Sequence, residues 1–397
     1  MPFAFRNQPF KALYIAASVV FILARLPFWA LAYTIPSWRP RPTWSFKRSL
    51  IVRILRTSMA VMYATSPLPA PPLEAHARDA EKLGFVWIEP IPEELVVGEV
   101  KEIAQINGVT PVKTGGFWYG PRGPDGKAGQ RAAPGEVVIY YFHGGAHIMG
   151  TSHPGDALQP PLYNALLEKV GPNARIFALE YRLSSAAPFE AANPFPAALL
   201  DAVAGYRYLV EELGFDPHRV IPSGDSAGGG LAFNLARYLP LTGLPKPGGL
   251  LLLSPTMDWG NAFSEADASR YRNVRSDFVD TILESGYTAR ALLGAIPAET
   301  ARANLWISPG SPHAPWKHGL YSELPPTIII AGGAEYTLDP MRIARDRLRE
   351  DIGTQNVDHV EFPDATHDFL LMAWHEPERT DALEVVARWV HKVVDGH

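Results

Sequence analysis

Cysteine is missing from the 397-residue chain. Without thiols, the protein has no disulfide framework, no thiolate zinc site and no cysteine nucleophile. The sequence also lacks any Asn-x-Ser/Thr glycosylation site, whereas extracellular proteins often carry disulfides and glycans. Both absences favour a protein that is not extracellular, with secretion as the alternative.

Acidic residues are missing from the first 73 positions, because the first one is Glu74. Nine basic residues precede it, which leaves 27 basic and 41 acidic residues in the rest of the chain. This excess of acidic residues after position 73 disfavours nucleic acid as a partner. The basic N-terminal part predicts contact with membrane lipid instead. The nine residues are Arg6, Lys11, Arg25, Arg39, Arg41, Lys47, Arg48, Arg53 and Arg56.

A long apolar run occupies residues 12–38 and contains one charge, Arg25. About 20 apolar residues suffice to cross a bilayer. Because Arg25 and Pro27 interrupt the run, a kinked span or a hairpin in one leaflet fits as well as a straight span. A cleaved signal peptide, a mitochondrial presequence and an amphipathic helix packed on the body are the alternatives.

Basic residues flank this run unevenly, with two before it and six in the 18 positions after it. The positive-inside rule then places the body of the protein in the cytosol. The sequence therefore predicts a membrane-associated protein, single-pass or monotopic, with the endoplasmic reticulum as one candidate compartment. We assign residues 1–60 to the anchor segment and residues 61–397 to the catalytic domain.

Short β runs alternate with helical stretches from residue 85 onward. This alternation predicts an α/β fold with a mostly parallel sheet that helices cover on both faces. The predicted strands are 85–88, 112–119, 137–142, 175–179, 220–224, 250–254, 327–331 and 358–362. The predicted helices are 158–170, 196–212, 227–239, 340–351 and 378–394. The stretch between the sixth and seventh strands is too long for a structureless loop, so we expect a helical cap over about 256–324.

The pattern Gly224-Asp225-Ser226-Ala227-Gly228 follows a β run and precedes a helical stretch. A nucleophilic serine has to project from such a tight turn, and flanking glycines allow the close backbone approach that the turn needs. Pro222 is unusual in this position, because proline would remove a hydrogen bond from a central strand. We therefore expect a bulge or an early strand end there.

A second glycine-rich stretch, His143-Gly144-Gly145-Ala146, follows the predicted third strand. Acyl transfer needs backbone N–H donors aimed at the developing oxyanion. We assign this oxyanion hole to Gly144, Gly145, Ala146 and Ala227, with Gly144 shaping the loop.

Together these motifs resemble the hormone-sensitive-lipase branch of the α/β-hydrolases. The resemblance extends through Glu180-Tyr181-Arg182-Leu183, 194–198 and 214–217 to His367, and covers roughly residues 135–390. It implies an eight-stranded α/β-hydrolase fold and an esterase or lipase, similar to membrane-anchored steryl acetyl hydrolases. Ala146 departs from the family, which usually has glycine there.

The acid of the expected triad should follow the seventh strand. The family has an Asp-Pro-Leu-x-Asp sequence at this point, and its first, catalytic Asp matches Glu335. The second matches Asp339, which remains the alternative acid. The base should follow the last strand, where His367 stands. We interpret His359 and His375 as surface or packing histidines. His147 and His153 stand close to the oxyanion loop, and we interpret them as surface histidines, with contact to the substrate as the alternative.

These residues predict hydrolysis of a hydrophobic acyl or acetyl ester, a small-molecule substrate, through an acyl-enzyme on Ser226. No metal or organic cofactor is expected, because no zinc, Walker or dinucleotide motif occurs. Trp118, Trp259, Phe263 and Trp306 are candidates for lining an apolar substrate pocket. An amidase or peptidase using the same triad, and a non-catalytic ligand receptor on the same fold, are the alternatives. The oligomeric state is left open.

Overall fold

A computed structural model describes residues 2–67 and 71–396 of the chain. Its centre is one eight-stranded sheet in the order β1-β2-β4-β3-β5-β6-β7-β8. Only β2 runs antiparallel to its neighbours, so the mostly parallel sheet is confirmed. The strands are β1 (Phe85–Ile88), β2 (Thr114–Tyr119), β3 (Val137–Phe142), β4 (Ala174–Glu180), β5 (Val220–Asp225), β6 (Leu250–Leu253), β7 (Thr327–Gly332) and β8 (Val357–Phe362).

The central strands are continuous apolar runs because both faces of the sheet are covered. In β3, Val138, Tyr140 and Phe142 point into the core on one face. The alternate residues of the same strand point into a second core on the other face, where α6 and α14 pack. The helices are α1 (Phe10–Ala32), α2 (Phe46–Thr65), α3 (Leu73–Ala77), α4 (Ala80–Leu83), α5 (Gly98–Asn107), α6 (Gln159–Val170), α7 (Ala197–Arg207), α8 (Ser226–Thr242), α9 (Ser269–Arg272), α10 (Asp280–Glu284), α11 (Tyr287–Leu293), α12 (Thr300–Ala303), α13 (Leu338–Ile352) and α14 (Glu378–Asp395).

The prediction of a bulge or an early strand end at Pro222 was wrong. The strand continues to Asp225, and Pro222 stands in register with Tyr140 of β3. The ladder with β6 begins only at Ser223. Because proline precedes this ladder, β5 tolerates it and still ends at the required turn.

The long connection between β6 and β7 carries the four short helices α9 to α12. The helix α2, which the sequence patterns did not predict, packs against α10 through an ion pair of 2.8 Å between Arg56 and Asp280. The predicted division at residue 60 falls inside α2, so cutting the chain there would break one helix. The assignment of 256–324 as a cap stays a prediction.

Candidate active site

The turn from β5 into α8 presents Ser226 at the carboxyl end of the sheet. Ser226 has a φ of 50°, in the left-handed region that costs a non-glycine residue roughly 1–2 kcal/mol. The two flanking glycines have no room for a side chain. A Cβ on Gly228 would lie 2.0 Å from the carbonyl oxygen of Phe142, and one on Gly224 would lie 2.4 Å from the backbone of Gly228. The strained turn therefore depends on both glycines.

Three side chains from separate loops meet in one hydrogen-bonded line. The Nε2 atom of His367 lies 2.8 Å from Oγ of Ser226, and its Nδ1 atom lies 2.9 Å from Oε2 of Glu335. Glu335 follows β7, and His367 follows β8. All three residues are buried, so bulk water does not compete for these bonds.

Glu335, rather than Asp339, is the carboxylate that reaches the imidazole. Its Oε1 atom accepts hydrogen bonds from Ser254 Oγ at 2.7 Å and from the Gly332 amide at 2.5 Å. Asp339 instead lies in the first turn of α13 and accepts from the amide of Ser269 at 2.6 Å. The extra methylene of glutamate is accommodated because these donors fix the carboxylate from the side away from His367.

The loop after β3 is held next to Ser226 by the buried carboxylate of Asp225. The amide of Gly144 donates to Oδ2 of Asp225 at 3.0 Å, so this N–H is already used, and Gly144 keeps the predicted part of shaping the loop. No described residue accepts from the amides of Gly145 or Ala146. Ala227 is the second residue of α8, where N–H groups lack an intrahelical acceptor.

Ala146 adopts the backbone conformation that glycine usually provides, with a φ of 57°. Gly145 has a φ of 107°, and a Cβ there would lie 2.2 Å from the carbonyl oxygen of Met149. The loop therefore requires glycine at 145, and at 146 it holds alanine in a strained conformation.

Acidic side chains surround the imidazole and affect its charge. Burial opposes the charged form of His367, but the carboxylates of Asp368 and Glu335 outweigh it and raise its pKa to about 10. Asp368 lies 3.3 Å from Nε2. Burial in turn raises the pKa of Asp368 well above its usual range, and that of Asp277 to about 7. Protonation of Asp368 removes a negative charge from beside His367 and therefore lowers the pKa of the imidazole.

Several residues of the site carried no predicted role. Thr256 places its Oγ1 atom 3.3 Å from Oγ of Ser226, and Thr337 contacts Glu335 at 3.2 Å. Asp225 and Asp368 stand directly beside Ser226 and His367 in the sequence, so their proximity was a usable signal. Thr256 had no such signal, because it depends on the position of β6 beside β5.

A narrow cavity of about 30 Å³ is lined by Thr256, the residue whose hydroxyl contacts Oγ of Ser226. Its walls include Thr256, Trp259, Trp306 and His147, which is buried and not a surface histidine as expected. Burial lowers the pKa of His147 to about 3, so the ring is neutral. Two predicted wall residues lie elsewhere.

Trp118 packs inside the core, where the Arg175 guanidinium lies 4.5 Å from its ring centroid and Phe215 stacks on it. Its assignment to the substrate pocket is therefore corrected. Phe263 lines a separate, smaller cavity beside Tyr336 and Arg270. Neither position follows from the sequence, because each depends on how distant segments pack.

Within the described residues, no group of three His, Asp or Glu side chains is arranged to hold a metal ion. This arrangement can move a proton between the Ser226 hydroxyl and the imidazole of His367, which Glu335 holds in place, next to free backbone amides.

Comparisons with known proteins identify the fold and the class of related enzymes. The family model described as the α/β-hydrolase fold matches residues 139–371. An acetyl-hydrolase from Streptomyces hygroscopicus is 31% identical over 278 residues, which cover 69% of this chain and 78% of that protein. The esterase LipI from Mycobacterium tuberculosis is 29% identical, over 64% of this chain and 68% of its own length. Among solved structures, a hormone-sensitive lipase from a metagenome library is 26% identical with a TM-score of 0.55, covering 70% of this chain and 82% of that one.

Proposed function

This chain belongs to the α/β-hydrolase fold family and is a carboxylic ester hydrolase, and on that premise we propose that it works through a triad of Ser226, His367 and Glu335. The observation that carries the proposal is the unbroken line of hydrogen bonds, 2.8 and 2.9 Å long, through the two imidazole nitrogens. His367 takes the proton of Ser226 as the hydroxyl attacks the ester carbonyl. Glu335 holds the imidazole orientation and stabilises the imidazolium.

The tetrahedral oxyanion is stabilised by the amides of Gly145, Ala146 and Ala227. These donors are fixed before the reaction, so they need no reorganisation when charge develops. His367 then protonates the leaving alcohol. Water repeats the sequence on the acyl-enzyme and releases the acid.

The acyl group occupies the cavity between Thr256 and the two tryptophans Trp259 and Trp306. A single water needs about 10–15 Å³ by this kind of measure, so a cavity of about 30 Å³ suits an acetyl group better than a long chain. The similarity to an acetyl-hydrolase supports the same choice. A hydrophobic alcohol, in contact with the cap over 256–324, completes the proposed substrate.

The N-terminal helix α1 brings the enzyme to membrane lipid. It has 23 residues, a mean hydropathy of 2.0 over its best window and no buried residue. By length and composition alone, a signal sequence would also fit. Exposed leucine and phenylalanine side chains along the helix, with basic residues around it, support a lipid surface as the partner.

Replacement of Ser226 by alanine tests the proposed function. We expect turnover of p-nitrophenyl acetate to fall by roughly 10⁴- to 10⁶-fold, since the nucleophile is lost. Ser223→Ala is the matched control, because this buried serine of β5 makes no hydroxyl hydrogen bond to any described residue. It should retain activity. A Ser226→Ala enzyme that still turns over would refute the triad.

An acyl-chain series separates the substrate classes. We expect kcat/KM to fall from p-nitrophenyl acetate through butyrate to octanoate, because the cavity is short. A rise with chain length would contradict the acetyl assignment. Matched anilides test the amidase alternative, and a fluorophosphonate probe that fails to label Ser226 would favour a non-catalytic receptor.

A further inference from the structure

One side of α1 faces the protein, and the other faces outward. The half-buried residues Lys11, Tyr14, Ser18, Ile22 and Leu26 recur every three or four positions, which puts them on one side of the helix. The exposed large side chains fall between them and include Leu13, Val20, Leu23, Phe28 and Leu31, each more than 60% exposed. The half-buried side packs along α2, so α1 is attached lengthwise and has one free apolar face.

Both ends of α1 are tied to the same neighbour. Before the helix, Phe3 is fully buried and its amide donates to the carbonyl of Tyr63 at 2.6 Å. Lys11 donates to Ser66 at 2.6 Å. At the other end, the guanidinium of Arg53 lies 5.1 Å from the ring centroid of Trp29. The first turn of α1 therefore lies against the end of α2, and its last turn lies against the first half of that helix.

The helix α2 is in turn fixed to the catalytic body. Arg48 forms two bonds of 2.7 Å with the carboxylate of Glu378 at the start of α14, and Arg56 pairs with Asp280. If α1 crossed a bilayer with its contacts intact, α2 and its basic side chains would have to enter the hydrocarbon beside it. Each such charge costs at least about 2.5 kcal/mol at the bilayer centre, so a crossing helix would have to separate from α2.

We propose that α1 lies in the plane of one leaflet and that the catalytic body rests on the same side of the membrane as both helix ends. This rests on the proposed membrane contact and adds its geometry. The occupant of the free face is a bilayer surface that contains anionic lipid. Charge complementarity selects it, because Arg6 and Arg25 accompany the helix and acidic residues are absent before Glu74.

Single-cysteine labelling tests this orientation directly, since the natural chain contains no cysteine. Asn7→Cys and Ser37→Cys place exposed thiols before and after α1. In intact sealed membranes, a membrane-impermeant maleimide should label both variants to the same extent. Protection of one variant until detergent is added would show that α1 crosses the bilayer and would overturn the proposal.

Vesicle flotation tests the lipid surface separately from the orientation. We expect the purified full chain to float with vesicles of phosphatidylcholine and phosphatidylglycerol, and about tenfold less with phosphatidylcholine alone. Val20→Asp should reduce flotation by about tenfold, whereas the control Leu320→Asp, an exposed leucine of the body, should not. No flotation of the natural chain would refute membrane contact itself, while esterase activity would remain as an independent measurement.

A second copy of the chain is the competing occupant of the free face. The molar mass of the protein in the absence of lipid, measured by light scattering, distinguishes a second copy from a lipid surface. A dimer that Val20→Asp converts to a monomer, with no binding to anionic vesicles, would overturn the lipid assignment. A species whose mass does not change with Val20→Asp, together with flotation, supports it.

Discussion

Glu335 and Asp225 are two buried carboxylates, one beside the imidazole and the other beside the oxyanion loop. Glu335 accepts hydrogen bonds from Ser254, Gly332 and Thr337, and contacts His367. Asp225 accepts from the hydroxyl of Tyr141 at 2.8 Å, from the side-chain amide of Gln159 and from the amide of Gly144. Both are thus satisfied by several donors, as a buried charge requires.

The difference lies in what each carboxylate faces. Glu335 faces a group that becomes a cation during the reaction, whereas the hydrogen-bond donors around Asp225 are all neutral. Burial accordingly raises the pKa of Asp225 to about 6. We infer that Glu335 acts on the transition state through the imidazolium, and that Asp225 acts through geometry, by holding Gly144 and hence the amides that follow it.

Neutralising Glu335 should have the largest effect. In Glu335→Gln the amide cannot stabilise the imidazolium, and in a Ser-His-Asp enzyme the equivalent change lowers kcat by roughly 10⁴-fold. We expect a loss of about 10³- to 10⁴-fold in kcat on p-nitrophenyl acetate, with little change in KM. Asp339→Asn is the matched control, because Asp339 lies four residues after Glu335, in the first turn of α13, and contacts Ser269 instead of His367. If Asp339→Asn caused the larger loss, the acid would have to be reassigned.

Neutralising Asp225 should have an intermediate effect. In Asp225→Asn, Tyr141, Gln159 and Gly144 compete for one carbonyl oxygen, and the new NH₂ group faces donors. The loop then shifts and the oxyanion loses alignment with its amides. We expect kcat to fall by roughly 10- to 100-fold, with KM within about threefold of the natural enzyme.

A purely structural role for Asp225 predicts a different pattern. The variant would lose thermal stability, while the folded fraction kept its full kcat. Measuring Tm together with the concentration of sites that a fluorophosphonate labels separates the two cases. Asp216→Asn, at the start of the turn before β5, provides a control on an exposed aspartate.

The parts of the site that the sequence predicted are those with local signatures. Ser226 stands between glycines in a strand-to-helix turn, and Glu335 and His367 each follow a buried strand. Their hydrogen-bonded line agrees with the predicted roles, which remain proposals. The predicted strands agree with all eight observed strands within two residues.

What escaped prediction depends on contacts between distant segments. The use of the Gly144 amide by Asp225 joins residues 81 positions apart. Trp118 could be placed in the core only by knowing that β2 pairs with β4, beside Arg175 and Phe177. The helix α2 was missed because its four basic residues made it look like a flank of the apolar run. Periodicity alone could not supply these contacts.

Neutralising Asp368 should have the smallest effect and should change the pH dependence more than the rate. His367 must be neutral to act as a base, and the carboxylate of Asp368 favours its charged form. Asp368→Asn removes that charge while Glu335, Asp277 and Asp225 remain nearby. The pKa of His367 then falls, so the neutral base persists to lower pH. We expect the acid limb of kcat/KM to move down by about one pH unit, which equals about 1.4 kcal/mol.

A protonated Asp368 predicts a different pH profile for the Asp368→Asn variant. If burial keeps Asp368 protonated throughout the working range, Asp368→Asn leaves the acid limb where it was, because no charge is removed. Asp358→Asn in β8 is the control, since Asp358 pairs with Lys392 at 3.4 Å, on another part of the surface. A limb that moves only in Asp368→Asn adds a third functional carboxylate to the site. It would act on the charge of the base, as distinct from its orientation or the position of the oxyanion loop.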